Sequence, residues 1–232
     1  FITIGFALNA QYYSITYVNV PPENQAEFAS IETTYWSKVA KAAIDSGKQS
    51  AWGLVAAVGG VPTGWTHAFV NVYETAEDLA NSPSNWDPSS VLGINPSLLN
   101  TVELTDGVFN FQNWDVQTSL SAGERTSESV TVWNFARPKN LAGFINENTT
   151  LWTKQLESAM GGRISWGVGL KLNNRSQNLS SVMTWDRYPS LAEALEALNQ
   201  YEGASLRGSK MNEYDPDGWT AQVIVSDVMW VD

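Results

Sequence analysis

The sequence predicts an α+β protein made of two tandem β-α-β-β-α-β units, and three observations point that way. Residues 17–80 and 132–195 follow the same script. Val18-Asn19-Val20 and Trp133-Asn134-Phe135 open the copies, Pro22 and Pro138 follow, and Phe28, Trp36 and Lys38 recur at one common displacement as Phe144, Trp152 and Lys154. A second pair, Trp52-Gly53 and Trp166-Gly167, keeps the order. The hydrophobic period also switches in the same sequence within each copy, from alternation to a helical stripe and back. Finally, each copy ends in an irregular stretch carrying an aromatic-Asp-Pro, Trp86-Asp87-Pro88 and Tyr214-Asp215-Pro216.

In the first copy residues 12–20 alternate and are rich in β-branched and aromatic side chains, which predicts a strand. Pro21 and Pro22 open a helix to about Ser46, striped by Phe28, Ile31, Tyr35 and Val39 and ended by Gly47. Residues 51–58 and 66–73 are strands joined by a turn containing Gly59, Gly60, Pro62 and Gly64. Thr75 with Asp78 resembles a capping box and starts a short helix. Residues 108–117 form the last strand of this copy, and the Ser-, Thr- and Gly-rich residues 118–129 read as a linker. The second copy places strands at 130–137, 164–172, 179–186 and 221–231 and a long helix over 139–160. Its second helix is opened by Ser190 and Glu193.

A β-α-β-β-α-β unit lays both helices on one face of a four-stranded antiparallel sheet. The bare face is hidden when two such sheets pack together, so a tandem copy can close its own pseudo-dimeric α+β barrel. The expected organisation is therefore 1–11 as a signal-peptide remnant, 12–117 and 130–232 as the two units, and 118–129 between them.

Composition narrows the function classes. The net charge of −11 removes the basic face that nucleic acid or an anionic membrane surface requires. The absence of Cys excludes disulfide scaffolds, thiolate metal sites and Cys nucleophiles. His67 is the single histidine, so a His-based triad or multi-His metal site cannot be assembled from one chain. No metal and no cofactor is expected. The apolar, uncharged opening FITIGFALNA resembles the tail of a secretory signal and is too short to span a bilayer, which predicts a periplasmic or extracellular protein.

Topology together with the repeated Trp and Lys landmarks resembles the dimeric α+β-barrel (ferredoxin-like) superfamily in a fused form. Within it, the chain looks most like uncharacterised secreted proteins of Bacteroidetes-type bacteria. The resemblance covers about residues 12–231. It implies relatives in which a His or polar group matters for haem binding or quinol oxidation. It also implies antibiotic-biosynthesis-type monooxygenases that use Asn, Trp and His without a cofactor; Asn19, Trp52 and His67 supply those types here, with Asn134 and Trp166 in the second copy.

The ligand-binding candidates are Trp52, Trp166, Trp36, Trp152 and Asn134. Trp36 and Trp152 lie two residues before Lys38 and Lys154, about 200° around a helix, so each Trp faces the sheet if its Lys faces water. Trp52 and Trp166 are each followed by Gly, which leaves room beside an indole for a planar ligand or for a bulky neighbour. On the third strand His67, Phe69 and Asn71 share a face, but the pattern leaves open which face that is. Asp215-Pro216-Asp217-Gly218 has the flavour of a calcium loop without its closing Glu and reads as an acidic turn.

The sequence thus predicts an exported small-molecule-binding barrel for a small aromatic or apolar ligand, with self-association an open prospect. The alternatives are a cofactor-independent monooxygenase-like enzyme around Asn19, Trp52 and His67, and a structural or interaction protein whose 11 Trp all fill cores.

Overall fold

The computed structural model describes residues 11–59, 61, 64–173, 179–200 and 206–232; the signal-peptide reading of 1–10 lies outside them. The chain has the expected α+β fold, with its strands ordered β1-β3-β2-β8-β5-β7-β6-β4 in a closed antiparallel barrel. Among the described residues its contacts divide into two units, one running from Trp114 to Ser226 and one holding Gln11–Asn113 together with Asp227–Asp232.

In the first unit β1 (Tyr12–Val18) leads into α1 (Gln25–Ile31) and α2 (Ser37–Asp45), which are one helix interrupted by a π-type turn at Glu32–Trp36. β2 (Ala51–Ala57) and β3 (His67–Tyr73) follow, and β3 pairs antiparallel with both β1 and β2. The register puts Val18, Trp52, Leu54, His67 and Phe69 on one face. That face is the helix-covered one, since Val18, Val20, Phe28, Ala40, Trp52 and Leu54 form a single buried cluster with Phe69 packed on it. α3 (Ala76–Ala80) starts as predicted, with the Thr75 hydroxyl accepting from the Asp78 amide at 3.1 Å. α4 (Pro88–Leu92) begins at the Trp86-Asp87-Pro88 landmark because Asp87 caps it and Pro88 fits a first helical position. β4 (Val108–Ser121) continues through 118–121, which the sequence assigned to the linker.

In the second unit β5 (Val130–Ala136) leads into α5 (Leu141–Glu147) and α6 (Thr153–Ser158), again separated by a π-type turn, here at Asn148–Trp152. β6 (Ser165–Lys171), β7 (Val182–Tyr188), α7 (Leu191–Gln200), α8 (Met211–Tyr214) and β8 (Trp219–Val231) complete the chain. β5 pairs with β7 and β8, and β6 with β7 and β4. The second aromatic-Asp-Pro landmark is not equivalent to the first: Tyr214 ends α8, whereas Trp86 precedes α4.

The matched π-type turns have a local cause. The two stretches read Glu-Thr-Thr-Tyr-Trp-Ser and Asn-Thr-Thr-Leu-Trp-Thr. Their hydroxyls bond back onto the helix: Thr33 to the Ala29 carbonyl at 2.7 Å, Thr150 to that of Asn146 at 2.6 Å, and Thr153 to that of Asn148, five residues back, at 2.8 Å. Such side chains compete for the helix's own carbonyls and loosen the regular turn.

Candidate functional site

The helix-facing side of the second unit is not one continuous core. It is broken into clusters around Leu156 and Trp166, around Val132 and Tyr188, and around Phe144 and Val182. A cavity of about 100 Å³ lies where these clusters meet. Trp152, Trp166, Phe144 and Leu198 give it apolar walls, while Asn134, Asn148, Arg163, Thr184, Asp186 and Gln222 supply the polar groups. An apolar cavity of 150 Å³ is known to take up benzene, so this smaller one has room for at most about one ring.

Register explains why the cavity exists in this unit. Thr16 stands opposite Phe69 in the first unit as Asn134 stands opposite Thr184 in the second, and Trp52 opposite Asn71 as Trp166 opposite Asp186. In the first unit the Phe69 ring stands at the matching place, 6.2 Å from Trp52 and 5.9 Å from Phe28. Thr184 is smaller at the matching place, and the volume is left open.

The sheet floor of the cavity is a connected polar row. The Gln222 amide donates to Asn134 Oδ1 at 2.6 Å, and Asn134 Nδ2 donates to Asp186 Oδ2 at 2.7 Å and to Thr184 Oγ1 at 3.2 Å. The other Asp186 oxygen is held by an ion pair with Arg163 Nε, and the Arg163 guanidinium also bonds the Met160 carbonyl and lies 5.6 Å over the Tyr188 ring. Each charge in the cavity wall is therefore matched by the other. On the helix side Trp152 donates its indole N–H to the buried Glu147 at 3.2 Å, which fixes the ring as a wall. Glu147 also receives Ser209 Oγ at 2.5 Å and the Lys210 amide at 2.8 Å.

Of the five binding candidates from sequence, Asn134, Trp152 and Trp166 meet at this cavity. Trp52 is buried in the first unit's core. Trp36 donates to the Leu99 carbonyl at 2.9 Å and stacks near Trp86. Lys38 and Lys154 are exposed, so the helical geometry expected for the Trp and Lys pairs holds.

The planar slots beside the Trp-Gly pairs are filled. A Cβ at Gly53 would overlap the indole of Trp230, and one at Gly167 the indole of Trp185. The glycines make room for a protein side chain, not a ligand. Gly167→Ala is expected to cost about 1–3 kcal/mol by overpacking. In a Trp185→Leu background the same change should cost much less; equal costs in urea unfolding of both backgrounds would contradict the contact.

The Asn19, Trp52 and His67 trio does not converge. Asn19 lies just beyond β1 and bonds Asp106 at 3.3 Å; register gives Asn134 a counterpart in Thr16, not in Asn19. His67 and Trp52 share the helix-covered face, but Phe69 and Leu54 stand between them in the ladder. His67 Nδ1 is 3.0 Å from Thr66 Oγ1, its ring packs 5.3 Å from Phe28, and burial lowers its pKa. The acidic turn holds Asp217 in an ion pair with Lys139 at 3.3 Å, and among the described residues no cluster of His, Cys, Asp and Glu could hold a metal ion. The haem of some relatives does not fit the cavity either: its lining has no histidine, and a porphyrin is several times larger than one ring.

Sequence reasoning missed Asn148, Arg163, Thr184, Asp186 and Gln222. The one available signal was the repeated Thr-Thr-x-Trp, which marks the π-type turn and hence Asn148 just before it.

No protein-family model and no curated protein matches the chain. Solved structures do. The chain is similar to a monooxygenase candidate from Fusobacterium nucleatum, with 12% identity and a TM-score of 0.60 over 97% of this chain and 96% of that one. An anthrone oxidase-like protein is similar at 14% identity and a TM-score of 0.52, over 96% and 93% of the two chains. The chain shares their α+β-barrel fold. A mutant chlorite dismutase from Candidatus Nitrospira defluvii has it too, at 8% identity and a TM-score of 0.52, over 94% of this chain and 90% of that one. At these identities the likeness is one of fold. Among the described residues no helix is long and apolar enough to cross a membrane.

Proposed function

We propose that the second unit binds a small, mainly apolar molecule of about one aromatic ring in the cavity between its helices and its sheet. The observation that carries this reading is the open volume itself, walled by Trp152, Trp166 and Phe144, at a place where Phe69 stands in the first unit. A purely structural role gives no reason for a cavity, which weakens a core by lost contacts.

The cofactor-independent monooxygenase reading stands second. It is favoured by the fold shared with the monooxygenase candidate and the anthrone oxidase-like protein. It is disfavoured by the cavity wall, where the acid, Asp186, is already engaged by Arg163 and Asn134 and no histidine is present to accept a proton.

The test is ligand-linked stability. A panel of one-ring aromatics and quinones should include members that raise the melting temperature, since a ligand at 100 times its Kd adds about 2.7 kcal/mol. Ala197→Trp, which places an indole in the cavity, should abolish the rise while the fold is kept. A panel without effect, or an effect untouched by Ala197→Trp, contradicts the reading. We also propose that the protein is exported, like the secreted Bacteroidetes-type proteins it resembles, on the strength of the apolar opening sequence. Expression of the native gene in a bacterium should then deliver the protein outside the cytoplasm; retention inside contradicts export.

A further inference from the structure

Resting on the cavity-binding reading, we infer that the ligand is an uncharged ring compound bearing a hydroxyl group, held between the Asn148 side-chain oxygen Oδ1 and the Thr184 hydroxyl. Asn148 opens the π-type turn and is 5% exposed. Its Nδ2 donates to the Phe144 carbonyl at 2.9 Å, which fixes the amide's orientation, because a carbonyl can only receive the nitrogen end. Oδ1 therefore points the other way, and among the described residues it receives no hydrogen bond. In the cavity wall Oδ1 is an acceptor offered to a guest.

Thr184, 4% exposed, supplies the complement. Its oxygen accepts from Asn134, while its own O–H has no acceptor among the described residues. Of the buried side chains in the cavity wall, Asn148 and Thr184 thus offer one acceptor and one donor that are not already used. A hydroxyl group both donates and accepts, so one such group on a ring answers both. Charge is excluded on separate grounds: Arg163 and Asp186 face each other, so a carboxylate or an ammonium on the ligand would enter a low-dielectric space without a free counter-charge. The first unit shows the contrast, with Glu32 in the place of Asn148 already receiving Thr101 Oγ1 at 2.6 Å.

The experiment is calorimetric titration of the intact protein with phenol, toluene, benzoate and benzylamine, for wild type, Asn148→Leu and Thr184→Val. Phenol should bind more tightly than toluene, and benzoate and benzylamine should be at least about tenfold weaker than phenol. Either substitution should lower the phenol-to-toluene affinity ratio by about tenfold, with toluene binding kept. Because the two substitutions lie on a helix and on a strand, one that fails to fold leaves the other to decide. Toluene and phenol binding alike, with the ratio unchanged in a folded variant, overturns the hydroxyl assignment and leaves the cavity reading standing. No binding by any of the four overturns both.

Discussion

Trp52→Ala lowers the unfolding free energy by about 3–5 kcal/mol, the range for emptying a fully buried aromatic site. Trp52 is 1% exposed and packs with Val18, Val20, Phe28, Ala40 and Leu54. Its ring meets Phe69 at 6.2 Å, and both aromatics lie under a helix that cannot collapse far into the gap. Trp166→Ala should cost less, because Trp166 already borders a cavity and has fewer partners to lose. Urea unfolding of both variants measures this. Equal losses would mean that the two indoles are packed alike and that the contrast between the units is wrong.

The second large effect concerns pH. Glu32 is 4% exposed, and burial pushes its carboxyl up to about 7 against the hydrogen bond from Thr101. In the unfolded chain the same group titrates near 4.5. Between these values the folded state holds a proton that the unfolded state has released. The contribution is therefore fully present below about pH 4.5 and is lost as pH rises through 7. The separation corresponds to about 3 kcal/mol. Glu32→Gln keeps an oxygen for Thr101 and removes the titration, so its stability relative to wild type should rise by about that amount from pH 4.5 to pH 8. His67 has the opposite sign: burial keeps it neutral, and its contribution is lost as pH falls below 6.5. It is present in both proteins and drops out of the difference. A constant gap between wild type and Glu32→Gln across this range would place the Glu32 carboxyl in contact with water.

The architecture was legible because it is written twice. Phe28, Trp36 and Lys38 returning as Phe144, Trp152 and Lys154 fix the long helices, and the Thr75 and Ser190 caps fix the second helices. What the repeat hid was the difference between the copies. Whether Trp52 or Trp166 borders open space depends on the residue across the ladder, Phe69 or Thr184, and register is not visible in spacing. The Asn19 and Asn134 pairing failed for the same reason, since strand ends shift by a few residues without disturbing the pattern. The Gly53 and Gly167 slots were open in sequence and closed in space by Trp230 and Trp185, which come from other strands. The π-type turns come from hydroxyl back-bonding, a signal that helical periodicity averages away.

Two copies of one script set the Phe69 ring against Trp52 in the first unit and leave a cavity beside Trp166 in the second. The most direct measurement is anomalous scattering from crystals soaked in bromobenzene. A bromine peak is expected among Trp152, Trp166, Phe144 and Leu198, and none beside Trp52 and Phe69. A peak in the first unit's core, or an occupied surface site with the second unit's cavity empty, would contradict it.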